Sequence, residues 1–515
     1  MRRPQAAGST LEAVKPLIEK LTALETKALE GSSMPVVAMA AELEATCRDV
    51  ARKAMTLLLD QAARAQPCSV SCSCGGTALS KGFESTSFVG RFGRVSLARR
   101  RMTCAQCATS TFPFDQAWGL PEGEYTDDVR EATERLSCRL GSFEEAVTEL
   151  RYFWCVAPDA STAKRWVAQD GARAEALVQA DAQAHWSEYE QTAFAEARCE
   201  QRAPPRTEGF GVVEVDGVHA LTWKPGREPR RKTEQAAAAA AATTALPAAA
   251  SETSERANRH QAPSTLSDVK GSPMGPTTRS SRVHGREICM GITYLGEHAC
   301  EESPGRGVLL DKRYVATLND REGFWRKLHT AAAEQGVLQR ETVVRVSDAG
   351  TYFVDQTNEL FCDQPLVGIL DIQHGNQHVW EAARKIVGDS KKTAAWVAPR
   401  TQDIWDGNVH DLIADLATER KKRRGSTQRE AIDDLTGYLG RNKHMMDYPR
   451  YRDAGYPIAS AAIESANKRL VGRRCKQGGM IWSEPGLEAI VTLRVAFYNH
   501  DTWQTLWPDI PQTPA

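Results

Sequence analysis

Three aspartates close apolar runs of strand length: Asp216 in "GVVEVDG", Asp348 in "VVRVSDAG" and Asp371 in "VGILDIQH". A carboxylate at the end of a buried strand is rigidly aimed, and a following Gly or Ala lets a backbone or phosphate come close. Two such carboxylates and a third from a helix can hold two Mg2+ ions about 4 Å apart, the arrangement for in-line attack on a phosphodiester. Glu464, which opens the cation-rich stretch "SAAIESANKRLVGRRCKQGG", is the candidate third. Asp-Gly after a strand is also a common turn, and spacing alone does not choose between Asp348 and Asp371 as second ligand.

A second constellation is made of thiols. Cys68, Cys72 and Cys74 precede a hairpin-sized spacer, and Cys104 and Cys107 follow it as C-x-x-C. Two close pairs bridged by strands suit a tetrahedral structural zinc, with Cys72, Cys74, Cys104 and Cys107 as the expected ligands. The front pair is one residue short of the common knuckle, which leaves Cys68 as a substitute for Cys72. Buried or free cysteines are the plainer alternative. His374 and His378 also have metal-pair spacing, but Gly375 stands where a zinc hydrolase would carry its Glu.

These residues need elements to carry them. At 515 residues the chain predicts roughly three or four units. Its 65 basic and 66 acidic residues leave a net charge of -1, so a nucleic-acid surface must come from segregated charge. Thirteen scattered cysteines do not suit a secreted disulfide framework, and no segment reaches the roughly 18 to 20 apolar residues of a membrane span, so the expectation is a soluble intracellular protein.

Helical spacing runs over 1–66, short strands with turns over 67–115, and a helical region with a helix-turn-helix pattern at 142–170 over 116–200. The strand ending at Asp216 lies in 205–223. A basic, alanine-rich and Ser/Pro-rich segment at 224–283 predicts a disordered insertion. Strand-like text over 284–378 and helical text over 456–500 complete a mixed α/β layer, interrupted by charged helices at 379–455 and followed by a tail at 501–515.

Asp216 in "VEVDG", Asp348 in "VSDAG", the Asp371-x-x-His374 element and Glu464 in "SAAIESANKRLVGRR", in that order, resemble bacterial insertion-sequence DDE transposases with an RNase H-like fold. More narrowly, the chain is similar to the ISKra-type branch, related to the Mutator-like superfamily. The likeness runs from the cysteine ribbon through "FPFDQAWGLPEGEYTDDVRE" to "GGMIWSEPGLEAIVTLR". It implies that Asp216, Asp348 and Glu464 hold Mg2+ or Mn2+ for hydrolysis at element ends and strand transfer. It makes Asp371 and His374 an accessory pair, and it implies a homo-oligomer at the bacterial nucleoid in the cytoplasm. The short front knuckle and the 224–283 insertion depart from the family.

Such an enzyme must grip terminal inverted repeats and target DNA. Lys468, Arg469, Arg473, Arg474 and Lys476 are the expected phosphate contacts beside the reacting bond, with Lys164 and Arg165 on the second helix of the helix-turn-helix and Arg99, Arg100 and Arg101 on the ribbon. The helix-turn-helix reads equally as a structural bundle, and Lys421 to Arg424 as a solvated helix end. Glu464 and Lys468 are also spaced as an i, i+4 pair. Two other functions fit part of the pattern: a nuclease of the same fold, and a zinc-ribbon DNA-binding regulator with an inert catalytic domain.

Overall fold

The computed structural model describes residues 10–30, 35–199, 206–224, 282–303, 306–348, 350–388, 391–508 and 510. The insertion expected at 224–283 falls on 225–281, outside the described residues. The chain is a mixed α/β protein of several modules. Among the described residues no helix is long and apolar enough to cross a membrane.

Two helices, α1 (Thr10–Leu29) and α2 (Val36–Ala65), lead into an antiparallel sheet of β1 (Ser69–Ser71), β2 (Thr77–Gly90), β3 (Gly93–Cys104) and β4 (Ser110–Thr111). The β2–β3 hairpin is longer than the short strands expected, because its far half has a core of its own. There Phe88, Val95 and Leu97 pack with Ala63 of α2 and with Phe114 of α3 (Pro113–Ala117). The near half packs Ala78, Met102 and Cys104.

Helices α4 (Asp127–Arg139), α5 (Phe143–Trp154) and α6 (Ala160–Cys199) follow. Ser142 caps α5 by accepting from Glu145 N at 3.0 Å, and Cys155 ends it in the left-handed region. The second helix of the expected helix-turn-helix is 40 residues long. It continues from its exposed start to pack on a C-terminal helix, where a Cβ at Gly171 would meet the Ala489 carbonyl oxygen at 2.6 Å. Its start is also a packing element: Trp166 is buried edge-on against Tyr125, with ring centroids 5.4 Å apart.

The central sheet contains β5 (Thr207–Trp223), β6 (Val283–Leu295), β9 (Arg313–Thr317), β10 (Arg340–Ser347) and β11 (Leu366–Leu370); β7 (Ala299–Ser303) and β8 (Arg306–Leu309) form a separate hairpin. The strand order is β11-β10-β5-β6-β9, with β10 parallel to both β5 and β11, and with β6 antiparallel to β5 and β9. Both faces are covered, so β5 reads as an almost unbroken apolar run. Val213 and Val215 meet α7 (Arg321–Glu334) and residues near α8 (Thr351–Leu360). Val212, Val218 and Ala220 face the core shared with the C-terminal helices.

After β11 come α9 (Ile372–Val387), α10 (Lys391–Trp405), α11 (Val409–Lys422), α12 (Ser426–Asn442) and α13 (Tyr448–Asp453). Then α14 (Ala461–Asn467), a π-helical turn (Lys468–Gly472), α15 (Arg473–Cys475), α16 (Glu484–Tyr498) and α17 (His500–Leu506) return to the sheet.

One expectation about the sheet is corrected. Asp216 does not end its strand: β5 runs on to Trp223 and stays paired with β6 throughout, Gly217 lying opposite Cys289. Gly217 marks a close approach and not a turn, since a Cβ there would meet Glu287 Oε1 at 2.5 Å.

Candidate functional site

β10 runs parallel to β5 with Val346 opposite Glu214, and two residues further this register sets Asp348 beside Asp216. Both carboxylates belong to the face shared with the C-terminal helices, because even-numbered residues of both strands line that core. Gly217 N donates to Asp216 Oδ1 at 2.7 Å, and Gly350 N to Asp348 Oδ1 at 3.0 Å. Asn467 Nδ2, from the end of α14, donates to Asp216 Oδ2 at 2.6 Å. Burial, and then the charge of Asp348, hold Asp216 above its ordinary pKa, against the Gly217 amide, Asn467 and His374. Two like charges side by side in a half-buried cleft make a strongly negative locus.

Glu464 is exposed on α14, three residues before Asn467 and so on the flank that reaches Asp216. Ile463, Ala466 and Leu470 are buried on the opposite side, as their spacing predicts. Glu464 is not drawn in to the aspartates. Among the described residues, the group of three or more His, Cys, Asp or Glu side chains with ligand atoms within 4.8 Å of one another is the cysteine set.

Asp371 has a different part from the accessory role expected. It is fully buried, caps α9 by accepting from Gln373 N at 2.7 Å, and accepts from Ser460 N at 3.2 Å and from the Ser460 hydroxyl. Both oxygens are taken up in tying the start of α9 to the start of α14, so Asp371 anchors the helix that carries Glu464. His374 lies half-buried one turn along α9 and acts on Asp216 by charge. His378 is stacked on Tyr438 with ring centroids 3.8 Å apart, which occupies it otherwise than as a zinc ligand.

Glu214, two residues before Asp216, escaped notice inside an apolar run. It is fully buried and accepts from Ile463 N at 2.9 Å and from the Tyr294 hydroxyl at 2.8 Å, making a second clamp on the first turn of α14. Desolvation pushes it from 4.5 up to about 7, with the charges of Asp371 and Glu464 adding to the rise against both hydrogen bonds. Below its unfolded value the group is protonated in both states and folding is unaffected. Through the window from 4.5 to about 7 only the folded chain keeps the proton, so stability falls as pH rises, by about 3 kcal/mol in all. Glu214→Gln is expected to remove that slope, which urea melts at pH 5 and pH 8 would reveal.

The cations after Glu464 divide. Lys468, Arg473 and Lys476 are exposed, as are Lys164 and Arg165. Arg469 is half-buried against Tyr314 and Tyr498. Arg474, expected at DNA, is instead 1% exposed: its Nε donates to Ser137 O at 3.0 Å, and its guanidinium lies over the Phe143 and Trp482 rings. It joins α15 to α4. Arg474→Ala should therefore cost roughly 2–4 kcal/mol in a denaturant melt and leave the salt dependence of DNA binding unchanged, whereas Lys476→Ala should do the reverse.

The ribbon arginines are similarly committed. Arg99 pairs with Asp115 at 2.7 Å over the Phe112 ring, and Arg100 lies over Phe83. Arg101 stays largely exposed near Glu84.

The four expected thiols do converge. Cys72 and Cys107 Sγ are 3.6 Å apart, as are Cys74 and Cys104 Sγ, and all four lie within 4.8 Å of one another. The set could bind a metal such as zinc, and Cys72, not Cys68, completes it. The short front knuckle closes because Gly75 takes φ +84°. Gly76 then lies so close that a Cβ would meet Cys104 Sγ at 3.1 Å. In the back knuckle Gln106 N points at Cys104 Sγ at 3.4 Å, and the amides of Cys107 and Gln106 lower the pKa of that thiol.

The chain matches no protein-family model and no curated protein.

Proposed function

We propose that the protein is a DDE transposase of an insertion sequence, which cuts element ends and joins their 3′-hydroxyls to target DNA. The observation that carries this reading is the sheet. Three antiparallel strands (β9, β6, β5) and two parallel strands added beyond the first (β10, β11) have the order expected of an RNase H-like core, with carboxylates side by side on the first and fourth strands in chain order.

The Asp216–Asp348 pair fits a divalent cation, Mg2+ or Mn2+, because burial and mutual charge already strain it toward neutralisation. Glu464, on the flank that touches Asp216 through Asn467, is the residue to complete the set when the helix and sheet draw together. A cation bound there supplies Lewis-acid stabilisation of the phosphodiester and a deprotonated attacking hydroxyl. The chain itself supplies the aim: Gly217 and Gly350 amides orient the two aspartates, Asn467 holds Asp216, and the Asp371 and Glu214 clamps fix the helix that bears Glu464. Lys468, Arg473 and Lys476 extend from that helix toward solvent, available to phosphates on either side of the cleft.

The test incubates purified protein with labelled terminal-repeat DNA, a target plasmid and Mg2+. Joined product supports the reading. Cutting without joining would make the protein a nuclease, and binding without cutting a regulator with an inert domain.

A further inference from the structure

Tyr438 of α12 carries a hydroxyl with no evident occupation. The residue is 9% exposed, and its Oη is buried without a hydrogen-bond partner. Buried polar groups are ordinarily satisfied, so an orphan hydroxyl beside a cleft points to a partner that arrives later. The neighbouring Tyr448 makes the contrast, since its hydroxyl donates to Leu370 O at 3.0 Å.

The ring of Tyr438 is fixed by its stack on His378, one turn beyond His374 on α9. Helix α9 begins at the end of β10, where Asp371 N donates to Ser347 O at 2.8 Å, the residue before Asp348. Burial, then the charge of Asp348, then that of Asp371, raise the phenol well above its ordinary range, so it stays a neutral donor. Of those two carboxylates Asp371 is already taken up by Gln373 and Ser460. Asp348 has engaged Oδ1 with Gly350 N, which leaves Oδ2 as the acceptor within the same locality.

We propose that Tyr438 is a positioning residue for the carboxylate site, its hydroxyl donating to Asp348 when that side chain turns to a divalent cation and so fixing which oxygen faces the metal. The proposal rests on the metal-binding part of the function proposed above. Outer hydrogen bonds of this kind orient ligand carboxylates, and their loss typically weakens metal affinity about 10- to 100-fold.

The test measures Mn2+ affinity by the electron paramagnetic resonance of free Mn2+, on zinc-loaded full-length protein, for wild type, Asp348→Ala, Tyr438→Phe and Tyr448→Phe. The expected result is loss of Mn2+ binding in Asp348→Ala, affinity about tenfold weaker in Tyr438→Phe, and no change in Tyr448→Phe. Tyr438→Phe keeps the ring stack, so its thermal unfolding should match or exceed that of wild type. Wild-type affinity in Tyr438→Phe, with Asp348→Ala impaired, overturns the role of Tyr438 and leaves the function reading standing. Equal binding by wild type and Asp348→Ala, or none by either, removes the metal site and Tyr438's role with it. An equal fall in Tyr438→Phe and Tyr448→Phe would make the effect one of packing and would also overturn it.

Discussion

Asp216→Ala and Asp348→Ala are each expected to reduce strand cleavage and joining by about a thousandfold or more, with terminal-repeat binding kept within a few-fold of wild type. Stabilising charge at a reacting phosphodiester is worth several kcal/mol, and roughly 1.4 kcal/mol corresponds to each factor of ten in rate. Neither substitution should unfold the chain. Both side chains are only partly buried, and burial together with the charge of Asp348 holds Asp216 above its ordinary pKa, so removing either carboxylate relieves an electrostatic cost. A single-turnover assay on labelled ends, with a gel-shift control, reads both quantities. Joining at wild-type rates by either variant would remove the aspartate pair from the chemistry. Asp371→Ala should behave differently, lowering stability and activity together, because it frees the first turn of α14.

Cys104→Ser is expected to abolish zinc retention and melt the near half of the ribbon. Cys104 is the buried member of the four, packed with Ala78 and Met102, and its sulfur receives the Gln106 amide. Structural zinc in small domains contributes on the order of 10 kcal/mol of apparent binding free energy, far more than the three-residue core of that half can supply. Elemental analysis should fall from one zinc per chain to none, and amide exchange should quicken over β1 and the start of β2. The far half, packed on Ala63 of α2 with Phe88, Val95 and Leu97, should stay protected. Cys68→Ser should change neither, since Cys68 lies outside the cluster. Zinc retained in Cys104→Ser would remove the site.

Much of this was legible in the sequence, for physical reasons that also mark where it stopped. Apolar runs gave the central strands because a sheet covered on both faces needs them. The carboxylates at 216 and 348 could be paired because each lies where such a run meets a small residue. The end of β5 was misjudged because Asp-Gly usually turns a chain, whereas here Gly217 makes room for Glu287 within a continuing ladder. Glu214 was invisible because its partners, Ile463 N and the Tyr294 hydroxyl, are far away in the chain. Arg474 was read as a surface cation with its neighbours, since local charge carries no record that Ser137, Phe143 and Trp482 enclose one of five. Asn467 was passed over because a neutral amide beside so many cations gives no signal until Asp216 stands within reach.

The π-helical turn at Lys468–Gly472 acts as a phase shifter. A π turn holds one residue more than an α turn, and one residue is about 100° of helix rotation. Arg494 stabilises the wider loop by donating through Nε to Leu470 O at 2.7 Å and through its other nitrogen to Arg469 O. Glu464 before the turn and Arg474 after it are thereby indexed independently, one facing the cleft and the other the core. Deleting a single residue between 468 and 472 would rotate everything downstream by that angle, swinging a buried guanidinium into solvent and an exposed neighbour into its socket. Length in this segment is thus under a constraint of angle as strict as the constraint of chemistry on the residues it separates.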